Sequence, residues 1–186
     1  MEWLMFPDNT VLVNFGHMGL IPTFGDLVRG RGRWTATVAE ESAMSSKVEG
    51  LEGLGQVASM LGEPLRLEST KEMLDTDSIR IALSRPGDGR YKNLGEAETL
   101  AIITNRFPDS GVFVTDDGPA RLRANDLQVR TYTTFSLVVL AVRAGKLERE
   151  AGWNAVVGLR RIPRQLPGCP TTYFEFQKLC ESHAAA

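Results

Sequence analysis

Cysteine is nearly missing from this chain of 186 residues: Cys169 and Cys180 are the only two, and nothing near them has metal-ligand spacing. Their scarcity excludes a disulfide scaffold and a zinc module, and leaves reduced thiols as the default. Long apolar runs are missing as well. No stretch reaches the roughly 18 residues that a spanning helix needs, and the first residues lack the basic-then-apolar layout of a secretory signal. An excess of one charge is also absent, with a formal net charge of -2 and a pI near 5.8. No global field therefore draws a polyanion, and any nucleic-acid contact must rest on local Lys and Arg clusters. Together these absences lead us to expect a soluble, cytoplasmic protein with no membrane partner.

Several catalytic classes fall away for similar reasons. His17 and His183 stand at no ligand spacing from other metal-binding residues. Ser42, Ser45 and Ser46 come with no histidine and no nucleophile elbow, which removes serine hydrolysis. A Gly-rich phosphate loop carrying a lysine is missing, so a Walker-type nucleotide site is excluded, and Gly87-Asp88-Gly89 reads as a turn. A receiver-like signalling domain would need a lysine after a late strand, and none stands there.

What is present suits one packed domain. Hydrophobic residues make up 42% of the chain, and no internal repeat is visible. Residues 2–6 read as a short buried strand, followed by a Pro7-Asp8-Asn9-Thr10 cluster that opens a helix through Val11 to Phe15. A second helix-like stretch runs from Gly16 to the Gly- and Arg-rich turn at 29–33. Trp34 to Val38 is expected as a strand passing into a helix near Glu40. Helical spacing recurs over 51–61 and 70–83, with a short one-sided strand over 64–68 between them, and again over 94–103. Residues 111–115 are β-branched and flanked by turn formers, the clearest strand in the chain. Pro119 opens another helix, 127–131 is a shorter strand, and 135–144 is an apolar helix ended by Gly145. Alternating strands and helices imply a parallel sheet covered on both faces. Beyond about residue 146 the character changes: Pro163, Pro167 and Pro170 interrupt the chain, Arg160, Arg161 and Arg164 cluster, and 173–179 is expected as one more helix. This segment could complete the fold, contact a second copy or grip a substrate.

Acidic residues stand at the ends of apolar runs at four separated places: Asp8, Glu40-Glu41, Glu96 with Glu98, and Asp116-Asp117. In a parallel α/β sheet, ligands bind beyond the carboxyl ends of the strands, where Asp8 and Asp116-Asp117 fall. Each acid taken singly has a plainer reading, as a turn residue, an N-cap or a solvated helix start. Gathered in one cleft, carboxylates repel one another unless a divalent cation lies between them. The pattern therefore asks for a metal, and beyond the metal a phosphate. Thr115, Asn9 and Asn14 are candidates to support such a site, and Arg29, Arg31, Arg33, Arg121 and Arg123 are candidates to hold a nucleic-acid backbone, with a solvated face as the alternative.

The same residues resemble a known family. Asp8-Asn9-Thr10-Val11-Leu12 looks like the opening aspartate motif of PIN domains, and Val38-Ala39-Glu40-Glu41 resembles their second, glutamate-bearing segment. Gly95-Glu96-Ala97-Glu98-Thr99-Leu100-Ala101 is similar to the "GEAE" helix of one PIN branch. Val114-Thr115-Asp116-Asp117 followed by Ala120-Arg121 is similar to its last acidic turn, and residues 133–145 resemble the helix after it. The resemblance implies a PIN-like three-layer α/β/α sandwich with a central parallel sheet of four to five strands over 1–147, followed by a C-terminal extension, 148–186, packed on the same domain. It further implies a Mg²⁺- or Mn²⁺-dependent ribonuclease, with Asp8, Glu41, Glu96 and Asp117 catalytic and metal-ligating. Glu98 and Asp116 are further metal candidates; Glu40 is the alternative to Glu41, and Asp116 is open to the reading of a helix cap. Many such proteins are VapC-like toxins held in check by a small antitoxin, so an RNA substrate, an antitoxin partner and a homodimer are the implied associations. The alternative is a PIN-like module that binds RNA or scaffolds without cleaving it.

Overall fold

The structure is a computed structural model that describes residues 2–162 and 166–182. In chain order it runs β1 (Leu4–Pro7), α1 (Asn9–His17), α2 (Ile21–Val28) and α3 (Ala36–Ser45). A 3-10 turn over Glu52–Gln56 leads into α4 (Val57–Leu61), followed by α5 (Thr70–Leu83), α6 (Leu94–Arg106) and β2 (Gly111–Val114). Then come α7 (Gly118–Asp126), β3 (Arg130–Tyr132), α8 (Thr134–Arg143), α9 (Arg149–Leu159) and α10 (Tyr173–Glu181). Pro163, Arg164, His183 and the closing alanines lie outside the described residues. Among those residues no helix is long and apolar enough to cross a membrane.

The three strands form a parallel sheet in the order β1-β2-β3, with Leu4 opposite Gly111 and Val112 opposite Arg130. Side chains alternate between its faces, as the two-residue period of a strand requires. Met5 and Val114 join an apolar cluster with α1, α2, α3, α4 and α8, whereas Phe6 and Phe113 join a second cluster built on α6 and α7. Helices therefore cover both faces. Phe6 and Phe113 are wholly buried, and burial of such side chains stabilises the fold by about 1.5–3 kcal/mol each.

Four to five strands were expected, and three make ladders. The stretch expected as a strand over 34–38 keeps a single parallel bridge, Thr35 to Leu65, with another just ahead of it from Gly32 to Met5. The reason is local: Thr35 is already the N-cap of α3, so helix takes over at Ala36 before a second pairing can form. The strand expected over 64–68 is likewise reduced to its one bridge at Leu65. Pro64 carries no N–H for a ladder, and Ser69 begins α5 with a capping box in which Glu72 reciprocates. Helix α9 was not anticipated at all. Its two glycines weaken the sequence signal, yet Gly152 is needed because an added Cβ would lie 3.1 Å from Val142 Cγ2 and 3.4 Å from Phe176 Cζ. Phe176 of α10 is fully buried and its ring centroid lies 6.1 Å from that of Phe135, so residues beyond 147 share the core of α8.

Candidate acidic cleft

The parallel register is what brings the first acids together. The backbone N–H of Asp8, the residue after β1, donates to Val114 O at 2.9 Å, and the N–H of Thr115 donates to Tyr132 O at 2.9 Å. The three strands thus end at one level, with Asp8 beside Thr115 although 107 positions separate them. Asp8 occupies the N-cap position of α1, but its side chain makes no capping bond. Its carboxylate is 3% exposed, and Thr115 Oγ1 donates to Asp8 Oδ2 over a long 3.4 Å, beyond the usual O–H···O range. Burial, then repulsion from Glu96 and Glu41, pushes the Asp8 carboxyl up to about 8, against partial relief from the Asn9 amide and the Thr10 hydroxyl.

Glu41 comes from α3 and Glu96 from the first turn of α6. Gly95 makes their approach possible: a Cβ there would meet Glu41 Oε2 at 3.2 Å and Val38 Cγ2 at 3.3 Å. The glycine lets one helix set its carboxylate directly on the backbone of the other. Burial raises the Glu41 carboxyl to about 7, with Glu96 and Glu98 adding to the rise and Lys92 opposing it. Glu96 is raised by burial and by Asp117, and lowered by its backbone hydrogen bond and by Lys92. Glu40, adjacent to Glu41, is exposed on the outer side of α3.

Two other acids are occupied with architecture. Glu98 is buried, and its Oε2 accepts the N–H of Thr37 at 3.0 Å. Thr37 lies in the first turn of α3, whose own N-cap residue Thr35 makes no side-chain cap. Glu98 therefore caps α3 from α6 and holds in register the two helices that carry Glu41 and Glu96. Asp116 Oδ1 accepts the Thr134 N–H at 2.9 Å, and its Oδ2 accepts from Asn14 Nδ2 at 2.8 Å and Thr134 Oγ1 at 2.5 Å. Burial raises this carboxyl too, while those bonds pull it back. Asp116 thus ties the end of β2 to α1 and α8.

Asp117 is exposed at the N-cap of α7, where its Oδ1 accepts the Ala120 N–H at 2.7 Å. The helix cap expected of Asp116 is formed by Asp117 instead, and the cap leaves Oδ2 of Asp117 unbonded among the described residues. The structure sets Asp8 and Glu41 against Glu96, and Asp117 against Glu96 from the other side. Among the described residues, no group of three or more His, Cys, Asp or Glu side chains is arranged to hold a metal ion.

A cleft of about 490 Å³ opens over this place, lined by Thr10, Arg85, Lys92, Glu96, Asp117 and Gly118 among others. Lys92 and Arg85 were not singled out from the sequence. Their signal was a loop holding Arg85, Arg90 and Lys92 immediately ahead of the acid-bearing helix. The arginines expected to serve a backbone lie differently. Arg29 pairs with Asp26, Arg31 donates to Leu27 O at 3.2 Å, and Arg33 donates to Gly32 O at 2.6 Å, so all three close the end of α2. Arg121 and Arg123 on α7 have buried Nε atoms without hydrogen-bond partners among the described residues, and the charge of Arg121 favours the ionised form of Asp116. Asn9 donates to Ser45 Oγ at 3.2 Å, joining α1 to α3.

No protein-family model, no curated protein and no solved structure matches the chain. What defines it is the fold class, a small parallel sheet covered by helices on both faces, together with a cleft at the carboxyl ends of its strands.

Proposed function

We propose that this protein is a metal-dependent endoribonuclease of PIN-like three-layer fold, acting in the cytoplasm, and the toxin half of a toxin–antitoxin pair. The observation that carries the reading is a chain of repelling carboxylates from four separate elements, Asp8 and Glu41 against Glu96 and Glu96 against Asp117, whose Glu96 and Asp117 line a cleft at the strand ends. Structural carboxylates are paired or fully hydrogen-bonded, whereas Asp8 has no cationic partner and its bonds from the Asn9 amide and the Thr10 hydroxyl do not offset its burial. Its burial without a cationic partner, beside other carboxylate oxygens, fits a hard divalent cation.

Asp8, Glu41, Glu96 and Asp117 would hold Mg²⁺ or Mn²⁺, which when bound supplies hydroxide from a coordinated water and stabilises the charge developing on the phosphodiester. The chain's own residues prepare that chemistry. Thr115 orients Asp8, Glu98 fixes α3 against α6, and Asp116 locks the strand end from which Asp117 projects. A small antitoxin would silence such a cleft most simply by placing one basic side chain among the four acids.

The test is cleavage of single-stranded RNA by purified protein with Mn²⁺. We expect Asp8→Asn and Asp117→Asn to abolish cleavage, and unchanged activity in both would sink the reading. RNA bound but left uncut by the wild-type protein would move the assignment to a non-catalytic RNA-binding module.

A further inference from the structure

We propose that Lys92, with Arg85 lining the same cleft, is the phosphate-contacting cation of the acidic cleft and engages the backbone of a single-stranded RNA laid across it. The inference deepens the nuclease reading and rests on that cleft being a phosphodiester site.

Lys92 lines the same cleft as Glu96 and Asp117. Its charge is felt by both Glu41 and Glu96. Among the described residues, however, its ammonium forms no ion pair and donates no hydrogen bond, and the residue is exposed. A lysine that served only to neutralise the acids would close onto them. This one makes no such contact, and the cleft it lines carries cations, Arg85 and Lys92, together with the carboxylates of Asp88, Glu96, Asp116 and Asp117. A phosphodiester suits that cleft, because its anionic oxygens need a cation where the carboxylates would otherwise repel them.

The backbone holds Lys92 at this post. Its N–H donates to Gly89 O at 3.0 Å, Arg80 Nη1 donates to Arg90 O at 3.1 Å, and the Arg85 N–H donates to Asp88 Oδ2 at 2.7 Å, so the loop is fastened to α5 and to itself. Asn93 then turns the chain into α6 with a φ of 61°, a left-handed conformation that asparagine tolerates better than most residues and that recurs at functional sites. The turn sets Lys92 just ahead of the helix whose first turn carries Glu96, and so fixes the cation relative to the acid.

The experiment titrates a fluorescein-labelled decauridylate RNA against the full chain in Ca²⁺, across a series of salt concentrations, beside Mn²⁺ titrations followed by calorimetry. For Lys92→Gln we expect about fivefold weaker RNA binding and a salt slope smaller by roughly 0.7, the loss of one single-strand phosphate contact. Lys92→Arg should restore both. The same Lys92→Gln change should tighten Mn²⁺ binding severalfold, since a repelling cation is gone. Lys146→Gln, in the turn after α8, should leave every value at wild type. An unchanged salt slope in Lys92→Gln overturns the proposal, as does failure of the wild-type chain to bind the RNA. RNA binding that depends on Lys92 in a protein that takes up no Mn²⁺ supports the contact while overturning the metal-dependent reading.

Discussion

Asp8 and Glu72 are almost equally buried, 3% and 4% exposed, yet their carboxyls lie at opposite extremes of acidity. Glu72 sits between α5 and α6, where Arg106 Nε and Nη2 donate to its two oxygens at 2.6 and 2.7 Å and the backbone N–H groups of Glu68 and Ser69 donate to Oε2. Those bonds, the Arg106 fork first, hold it down to about 2. Asp8 has no cation beside it, only hydrogen bonds from the Asn9 amide and the Thr10 and Thr115 hydroxyls against burial and two repelling carboxylates, and is pushed up to about 8. Burial alone therefore does not mark a functional acid. What marks it is burial that its hydrogen bonds do not offset, because a fold that only needed stability would have paired the charge or replaced it.

Substitutions can break this comparison, and the largest effect expected is on activity. Asp8→Asn should cut RNA cleavage at least a thousandfold, roughly 4 kcal/mol of transition-state stabilisation, whereas Glu72→Gln should leave the rate per folded molecule unchanged in a single-turnover assay. Equal losses in both would erase the distinction between the two acids. On stability the order reverses. Glu72→Ala removes the buried partner of Arg106, leaving it only Glu68 and the Arg66 carbonyl, and should cost about 3 kcal/mol, a fall in melting temperature of roughly 6–12 °C for a chain this size. Asp8→Asn in EDTA at pH 8 should instead raise stability by about 2 kcal/mol, because the amide needs no counter-charge. Calorimetric melting of both variants checks the pair.

The pH dependence follows with opposite signs. Asp8 and Glu41 bind their protons more tightly folded than unfolded. The metal-free protein should therefore lose stability as pH rises from about 4 to about 8, through the folded values, and Asp8→Asn should flatten that slope. Glu72 has a depressed folded value, so its contribution is present above about pH 4.5 and is lost as pH falls towards 2. Urea midpoints measured across pH in EDTA would show both limbs. The smallest effect is expected at Gly95. Gly95→Ala gains roughly 1 kcal/mol of helix propensity but presses a methyl within 3.2 Å of Glu41 Oε2. Its melting temperature should stay near wild type while Mn²⁺ affinity drops, and unchanged affinity would show that Glu41 does not need its seat on α6.

Much of this was legible locally. β1 and β2 announced themselves as short apolar runs closed by turn residues, and α5, α6 and α8 by spacing that recurs along one helix face. The site was legible only as a set of candidates. Glu40 and Glu41 are adjacent, and the sequence offers no rotation angle for α3 by which to choose; packing of Val38 and Ser42 turns Glu41 inward. Glu98 has the same chemistry as Glu96, and its use as a cap for α3 depends on a helix 61 positions away in the chain. Lys92 carried no periodic signal because it lies in a loop. Helix α9 was hidden by two glycines, of which packing against α8 and α10 explains Gly152.

The order of elements, the acids at the ends of β1 and β2, and the exclusion of histidine, serine and Walker chemistry were all decided by the chain, because each depends on residue type and near-neighbour spacing. Which carboxylates face one another, which are spent on capping, and how far each is pushed from its ordinary acidity were decided by tertiary structure. Those properties arise from desolvation and from charges many residues apart, brought within reach of one another only when parallel strands end at the same level.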